Sequence, residues 1–271
     1  MLPMGQRRNG VRNRRNLAAT QVSSWVNFTP LSLSPQLWLD AADTTTITES
    51  GGAVSQWNDK SGNGYQFTQA TAAAQPKTGT RTQNGLNVLD FDGGDSLVST
   101  AAASTWNLLH NGTVHLLSMV VARDVAGTSG TVFATTSAAS NIGATVRFLD
   151  SNNYSHVVNN VSGAAVVSAS YSSGTSTSAV VLGLFSDPGN GTAANRSIPY
   201  INRSTGPQNN ASSGTPSAND ASVSMAIGNR QVNALALDGF IAELIIVGSA
   251  NATTQNLLSL QRYLVQKWGT A

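Results

Sequence analysis

The stretch Leu-Trp-Leu-Asp-Ala-Ala-Asp at residues 37–43, followed by Val-Ser-Gln-Trp-Asn-Asp-Lys-Ser-Gly-Asn-Gly at residues 54–64, carries the strongest fold signal in the sequence. Trp38 and Trp57 are large apolar anchors of the kind that hold the inner faces of two sheets together. Residues 59–64 have tight-turn chemistry, because Asp and Asn side chains bond the local backbone and glycines accept positive φ angles. The first role of these residues is therefore to build the fold.

Beyond this stretch, the chain has the pattern of many short β-strands. Each candidate is rich in β-branched or apolar residues and is bounded by Gly, Asn, Asp or Ser. The predicted strands cover residues 114–122, 131–135, 145–149, 164–171, 178–185, 222–228 and 239–248, with a shorter one at 198–202. Alternation is clearest in the sixth, where Val223, Met225 and Ile227 would share one face.

The sequence predicts one helix, at the end of the chain. Its apolar face repeats at spacings of three and four residues and is formed by Leu257, Leu260, Leu264 and Trp268. Gly269 follows as a stop signal, and Asn251 or Thr253 can cap the start. Many strands with one terminal helix predict an all-β fold, a two-sheet antiparallel β-sandwich with a short C-terminal helix.

Composition separates a basic arm from the rest of the chain. Five arginines lie within nine positions near the start, at Arg7, Arg8, Arg12, Arg14 and Arg15, and no acidic residue precedes Asp40. The other 10 basic residues are outnumbered by 13 acidic ones, so the remainder carries a net charge of −3. Residues 1–30 have no periodic apolar pattern and are predicted to be an extended arm. The domain is placed at residues 31–271.

The charged fraction is only 10%, against about 25% in typical domains. A surface this poor in charge favours a protein that is covered by neighbours in an assembly. We expect no signal peptide, because no apolar run follows the first basic residues. We also expect no membrane partner, because the longest apolar stretches, at 119–122 and 244–247, are far too short to span a bilayer.

Further segments near both ends of the predicted domain belong to the same pattern as residues 37–64. They are residues 75–76 (Gln-Pro), 84–85 (Asn-Gly), 89–93 (Leu-Asp-Phe-Asp-Gly), 239–244 (Gly-Phe-Ile-Ala-Glu-Leu) and 263–269 (Tyr-Leu-Val-Gln-Lys-Trp-Gly). Together with residues 37–64 they resemble the laminin-G-like, concanavalin A-like domains of bacterial surface proteins and tailed-phage virion proteins. The resemblance spans roughly residues 35–99 and 239–269 and implies a jelly-roll sandwich. It is a weak guide to function, since one fold serves many functions.

A glycan-cleaving activity is disfavoured by the carboxylates. Hydrolysis requires two of them flanking the scissile bond, and the family's hydrolases place Glu residues two to four positions apart on one strand. The chain has two glutamates, Glu49 and Glu243, and neither has such a partner. Asp90 and Asp92 are the nearest substitute, two apart and so on one face of a strand. We therefore predict that the protein is not an enzyme and has no catalytic residues.

The residue types and their spacing do not favour a metal site. There is no cysteine, and His110, His115 and His156 lack the spacing of a zinc site, so solvated or loop positions are predicted for them. Calcium is the one cofactor to weigh, because the resemblance implies a rim site. Asp59, Asp92 and Asp95 lie in loops rich in oxygen ligands. Turn formation is the favoured role of these aspartates.

The arginine-rich arm has three alternative roles. It could contact nucleic acid through phosphates, order along an acidic surface of a partner protein, or remain a solvated tail. Residues 1–24 contain no aromatic side chain, which argues against base stacking. Docking to a partner protein is favoured.

The leading functional hypothesis is a structural protein of a phage virion, capsid-decorating or tail-attached. The arm would anchor it to other virion proteins, the sandwich would face outward, and a homo-oligomer is expected. The outward loops could bind a host surface glycan, with Tyr154, Tyr171 and Tyr200 as stacking residues. Two alternatives remain: a jelly-roll capsid protein of a small RNA virus with an RNA-binding arm, and the disfavoured glycan-active enzyme.

Overall fold

The fold is taken from a computed structural model. It describes residues 28–138, 140–151, 153–160, 162–172, 177–206, 212, 214–231 and 235–270. The arginines of the predicted arm lie outside the described residues, so the arm and the domain boundary at residue 31 stay predictions.

The described chain is built almost entirely from short strands. In chain order they are β1 (Leu37–Asp40), β2 (Ile47–Ser50), β3 (Ala53–Asn58), β4 (Gln66–Thr68), β5 (Thr82–Gln83), β6 (Leu86–Asn87), β7 (Leu89–Asp92), β8 (Leu97–Ser99), β9 (His115–Arg123), β10 (Gly130–Ala134), β11 (Gly143–Phe148), β12 (Asn153–Asn159), β13 (Ala165–Ser172), β14 (Val180–Ser186), β15 (Ser197–Ile201), β16 (Ser204–Thr205), β17 (Ala226–Ile227) and β18 (Asp238–Val247).

Helices are few in the same residues. One α-helix, α1, spans Thr254–Trp268. Short 3-10 helices occur at Pro30–Leu33, Thr44–Thr46, Ala72–Ala74, Ala103–Leu109, Ala193–Asn195 and Ser249–Asn251. None of the described helices is long and apolar enough to cross a membrane.

The strands form two antiparallel sheets that pack face to face. The seven-stranded sheet has the order β1-β18-β9-β14-β15-β16, with β7 beside the first residues of β18. The nine-stranded sheet has the order β13-β12-β11-β10-β17-β8-β4-β3-β2, and β5 and β6 form a separate hairpin. Large apolar side chains from both sheets fill the space between them, including Trp57, Phe67, Phe133, Met119 and Leu244. The predicted two-sheet antiparallel β-sandwich is confirmed.

The seven-stranded sheet is buried on both faces. In β9, Leu117, Met119 and Val121 face the core between the sheets, while Leu116 and Val120 face a second apolar cluster that contains α1. Strands covered on both sides need no polar alternation. This explains the nearly continuous apolar runs in β9 and β18.

Helix α1 covers the outer face of this sheet and confirms the predicted C-terminal helix. Thr253 caps its start by accepting a hydrogen bond from the Asn256 backbone N–H at 3.2 Å. Gly269 ends it with φ +62°, and its N–H donates to the Val265 carbonyl. The predicted apolar face is fully buried and consists of Leu257, Leu260, Leu264 and Trp268.

Two strand assignments are corrected by the structure. The predicted strand at 222–228 is reduced to Ala226–Ile227, because Ser222 and Val223 donate instead to the carbonyls of Ile142 and Thr135. Strand β12, Asn153–Asn159, was not predicted at all. Its position between β11 and β13 decides where several candidate site residues lie.

Candidate functional site

The residues that carry the family resemblance meet in one buried charge network, which we define as Asp40, Lys60, Glu243 and Lys267. Lys267 Nζ lies 2.6 Å from Asp40 Oδ1 and 2.7 Å from Glu243 Oε2. Lys60 Nζ lies 2.9 Å from Asp40 Oδ2. The network joins the first strand, the turn after β3, the last strand and α1, so it fastens the two ends of the domain together.

Every acceptor of Glu243 is used within this network. The side chain is fully buried, and it accepts hydrogen bonds from the indole N–H groups of Trp38 and Trp268, both at 2.7 Å. The Tyr263 hydroxyl also donates to it, at 3.1 Å. Burial, together with the negative charge of Asp40, raises the pKa of the Glu243 carboxyl. The arrangement supports the fold and presents no carboxylate to a substrate.

The other carboxylates weighed for catalysis are also engaged locally. Asp90 lies 2.9 Å from an Arg81 nitrogen that also lies 2.8 Å from Asp124. Glu49 accepts a hydrogen bond from the Gly52 backbone N–H within its own turn. Asp90 and Asp92 lie on the outer side of β7, as the spacing predicted.

The three aspartates weighed for calcium act as turn caps. Asp59 accepts hydrogen bonds from the backbone N–H groups of Trp38 and Ser61. At the β7–β8 turn, Asp92 accepts from the Gly94 N–H at 2.9 Å, and Asp95 from the Asp92 N–H at 3.0 Å. All 13 carboxylates and all three histidines belong to the described residues, and no three of them form a group that could hold a metal ion. Each of these aspartates therefore has a structural role as a turn cap.

The three tyrosines proposed as glycan contacts are buried. Tyr154 and Tyr171 are 1% and 0% exposed, and Tyr200 is 7% exposed. The Tyr154 ring packs 4.6 Å from Phe148, and the Tyr171 hydroxyl donates to the Ser197 carbonyl at 3.0 Å. Their strands turn these side chains inward, so none of the three can stack on a sugar. The assignment is corrected on this ground.

The histidines are buried as well, contrary to the predicted solvated positions. His115 and His156 are fully buried, and burial lowers their pKa values to about 4 and about 3. His156 Nδ1 lies 2.8 Å from Ser197 Oγ, and His110 Nε2 lies 2.9 Å from the Asn219 carbonyl. His115 and His156 are neutral at pH 7 and form a polar part of the core, where a substrate has no access.

A polar surface remains on the outer side of the nine-stranded sheet. We call it the polar face and define it by the outward residues of β11, β12 and β13. They are Thr145, Arg147, Asn153, Ser155, Val157, Ser168, Ser170 and Ser172. Their neighbours in sequence, such as Val146, Phe148 and Val158, point into the core. Side chains alternate between the faces of a strand, so these residues share the outer side of the sheet. Thr145 and Ser155 are buried there, whereas Ser168 and Ser172 are exposed.

A groove lies on the same sheet, at β4 and β8. It has a volume of about 450 Å³ and is lined by Gln69, Gly94, Ser96, Val98, Asn229, Arg230 and Gln231. Its donors and acceptors are amides, a hydroxyl and one guanidinium. We call it the amide groove. A larger groove of about 650 Å³ near Thr44, Ile47 and Asn87 has only Glu49 as a charged lining residue, and that carboxylate already caps a turn.

Sequence reasoning did not single out Arg147 or Arg230. A signal for Arg147 was present, because it lies between Val146 and Phe148 in a predicted strand. Alternation there places a lone charge on the outer face. Arg230 lies in a loop, and only the tertiary structure brings it to this sheet.

No protein-family model and no curated protein sequence matches the chain. Solved structures do match it in fold. A botulinum neurotoxin serotype D/C binding domain aligns with a TM-score of 0.53 and 10% identity, over 87% of this chain and 53% of that one. The binding domain of botulinum neurotoxin DC in complex with SialylT gives 0.54 and 10%, over 86% and 52%.

A sialidase of Trypanosoma rangeli aligns with a TM-score of 0.51 and 12% identity, over 85% of this chain and 32% of that one. The chain thus spans about half the length of the toxin domains and a third of the sialidase. At such identities the likeness concerns the fold. The protein is a jelly-roll-type β-sandwich, of the class found in these toxin binding domains and in this sialidase.

Proposed function

We propose that the protein is a non-catalytic glycan-binding β-sandwich carried on a phage virion. It is a capsid-decorating or tail-attached protein, and its arginine-rich arm anchors it to other virion proteins. The observation that carries glycan binding is the polar face. Sugars are recognised by fixed hydrogen-bonding groups, and here hydroxyls and amides are held on a rigid sheet, where such sites are most accurately positioned.

Binding is favoured over hydrolysis by the state of the carboxylates. A glycosidase requires one carboxylic acid and one carboxylate facing the same bond. In this chain Glu243 is buried and saturated by hydrogen bonds, and Asp90 is paired with Arg81. The polar face contains no acidic residue.

The structural neighbours support the glycan-binding part of this proposal. One toxin binding domain is described in complex with SialylT, and another in work on cell entry through two ganglioside molecules. This chain shares their sandwich. Unlike an aromatic-lined sugar site, its polar face has no outward aromatic residue, so hydrogen bonds supply the contacts.

The virion role rests on the sequence. The charged fraction is low, five arginines are segregated in the arm, and the end segments resemble domains of tailed-phage virion proteins. Virion appendages are symmetric assemblies, so a homo-oligomer is expected.

Glycan binding is tested with the full-length chain on an array of host polysaccharides. Ser168→Tyr fills the centre of the polar face from an exposed position, and we expect it to abolish binding without lowering the melting temperature. Ser204→Tyr is the matched control, because Ser204 is also an exposed strand serine but belongs to β16 of the other sheet. Absence of binding to every polysaccharide, or equal binding by both variants, contradicts the proposal. Release of reducing sugar would instead establish the enzyme alternative.

The anchor is tested separately with particles that lack this protein. In one full-length variant, all five arm arginines are replaced by glutamine. We expect wild-type protein to bind the particles and this arm variant to fail. Equal binding by both proteins contradicts the anchor. Nucleic acid that copurifies with wild-type protein but not with the arm variant would favour the RNA-capsid alternative.

A further inference from the structure

Five of the ten basic side chains in the described chain have an evident structural role. Lys60, Lys267 and Arg81 form ion pairs with carboxylates. Arg123 and Arg196 donate to backbone carbonyls. Each of these cations is compensated by the protein itself, as partly buried charges normally are.

Arg147 and Arg230 differ from this rule. Both are half-buried, yet neither guanidinium forms an ion pair or a hydrogen bond with any described residue. The Nε atoms of both are buried and unpartnered, and so is the hydroxyl of Thr131, the cross-strand partner of Arg147. Buried donors without acceptors are rare in proteins and call for an explanation.

The topology brings the two arginines to the same place. The loop that contains Arg230 is tied at its start by the Gly228 N–H, which donates to the Val132 carbonyl at 3.0 Å. At its other end the Thr131 N–H donates to the Leu235 carbonyl at 2.7 Å. Both ties lie on β10, next to Arg147 on β11. In agreement with this placement, burial and the positive charge of Arg147 lower the pKa of Arg230.

Two adjacent, uncompensated guanidinium groups are unfavourable without an anion. The surroundings supply none, because the polar face contains no carboxylate, and the amide groove that Arg230 lines has only uncharged partners. A bound anion would neutralise the repulsion and satisfy the free donors. Guanidinium groups bind planar carboxylates through two parallel hydrogen bonds.

We infer that the polar face binds an acidic glycan and that Arg147 and Arg230 together bind the carboxylate of its acidic sugar. The half-buried Ser170 lies in the same cross-strand row as Arg147, with the buried Ser155 between them. The Ser170 hydroxyl would contact a sugar hydroxyl, and the amide groove would receive the adjoining residue of the glycan. The inference rests on the proposed function and specifies the class of ligand for that site.

The experiment measures binding of full-length protein to three soluble probes: polysialic acid, dextran sulfate and unmodified dextran. All proteins carry the five arm arginines as glutamine, so that the arm cannot capture a polyanion. In this background we compare Arg147→Gln, Arg230→Gln and the double variant. Arg203→Gln is the matched control, because it removes an equal charge from an exposed turn on the other sheet.

We expect polysialic acid to bind and dextran not to bind. Each single substitution should weaken binding roughly 10-fold or more, since a hydrogen bond to a charged group has that effect. The double variant should abolish binding, and Arg203→Gln should leave it unchanged. Binding should also weaken as salt is raised.

Three outcomes would overturn the inference. Dextran sulfate could bind as tightly as polysialic acid, which would make the pair a general polyanion patch. Arg203→Gln could weaken binding as much as Arg147→Gln. A neutral glycan could bind in a manner sensitive to Ser168→Tyr but not to the arginine substitutions, in which case glycan binding stands and the acidic ligand is wrong. Failure of every glycan to bind contradicts the proposed function itself.

Discussion

The protein has two clusters of charged side chains. In the buried cluster the charges are paired within the protein, and in the cluster on the outer side of a sheet they are not. In the buried network, the acceptors of Glu243 and Asp40 meet two lysines and two indole N–H groups. On the outer side of the nine-stranded sheet, Arg147 and Arg230 have no such partners in the described chain. A saturated cluster serves the fold, because it has no bonding capacity left. An unsaturated cluster at a surface is suited to a ligand, because the ligand can complete it.

The largest effect should come from breaking the saturated cluster. Glu243→Ala leaves Lys267 and two indole N–H groups without their acceptor, and removing one partner of a buried pair costs about 3–5 kcal/mol. Urea denaturation should show a loss of that size in the free energy of unfolding. Glu49→Gln is the matched control at the only other glutamate and should change it by less than about 0.5 kcal/mol. A loss below about 1 kcal/mol for Glu243→Ala would contradict the structural role.

At His115 and His156, burial outweighs every opposing interaction and lowers the pKa values of both side chains. Their pKa values in the folded state, about 4 and about 3, lie below the unfolded value near 6.5. The unfolded chain therefore binds more protons between these values, and stability falls as the pH is lowered from about 6.5 to 4. We expect His115 alone to contribute a loss on the order of 3 kcal/mol.

This is measured by urea denaturation at several pH values in wild-type protein and in His156→Gln. The variant removes one proton-binding site, so its stability should depend less steeply on pH between 6.5 and 4. An equal slope in the two proteins would show that His156 is accessible to protons in the folded state.

Asp95 gives a smaller effect of the opposite sign. Burial, with the adjacent Asp92 charge, raises its pKa to about 6, above the unfolded value of 3.8. Its contribution to stability is therefore fully present below pH 3.8 and is lost as the pH rises through 6. Asp95→Asn keeps the acceptor for the Asp92 N–H and should gain up to about 3 kcal/mol at pH 8. The gain should vanish at pH 4. Asp150→Asn, at an exposed aspartate, is the matched control and should change the free energy of unfolding by less than about 0.5 kcal/mol.

The smallest effect on stability is expected at the arginine pair. Arg147→Gln and Arg230→Gln remove like-charge repulsion and no native hydrogen bond, so each should change the free energy of unfolding by less than about 0.5 kcal/mol. Thermal denaturation at low salt is the sensitive measurement. If either variant lowered the free energy of unfolding by more than about 2 kcal/mol, the arginine pair would have a structural role. The two clusters would then not differ in the way described above.

Much of the fold was predictable because the physical signals were local. Strands β9 and β18 were placed within one residue at each end, since both lie in apolar runs that end at turn residues. Helix α1 followed from its spacing and from Gly269. Strand β12 was missed because its inward residues include His156, which periodicity counts as polar although the core buries it. Tyr154 also lies on the inward face of β12. Because this strand was not predicted, the burial of Tyr154 was missed, and its assignment as a glycan contact was wrong.

The site was less accessible to sequence reasoning. The resemblance identified the segments of Trp38, Asp40 and Glu243, but their convergence depends on pairing between the first and last strands. Asp59, Asp92 and Asp95 were correctly favoured as turn residues. The placement of Arg230 near Arg147 depends on the backbone hydrogen bonds that join Gly228 and Leu235 to β10, and no periodic pattern encodes those bonds.

The pairing of β1 with β18 also has a mechanical consequence. In the proposed anchored arrangement, a pull on the arm enters the domain through β1. The ladder hydrogen bonds of an antiparallel pair lie perpendicular to the strands, so tension along β1 loads them in shear, all at once. The link between Asp40 and Lys267 crosses the far end of that strand. A particle held to its host by the sandwich would therefore pull on a strand that is held both by its ladder with β18 and by the ion pair between Asp40 and Lys267.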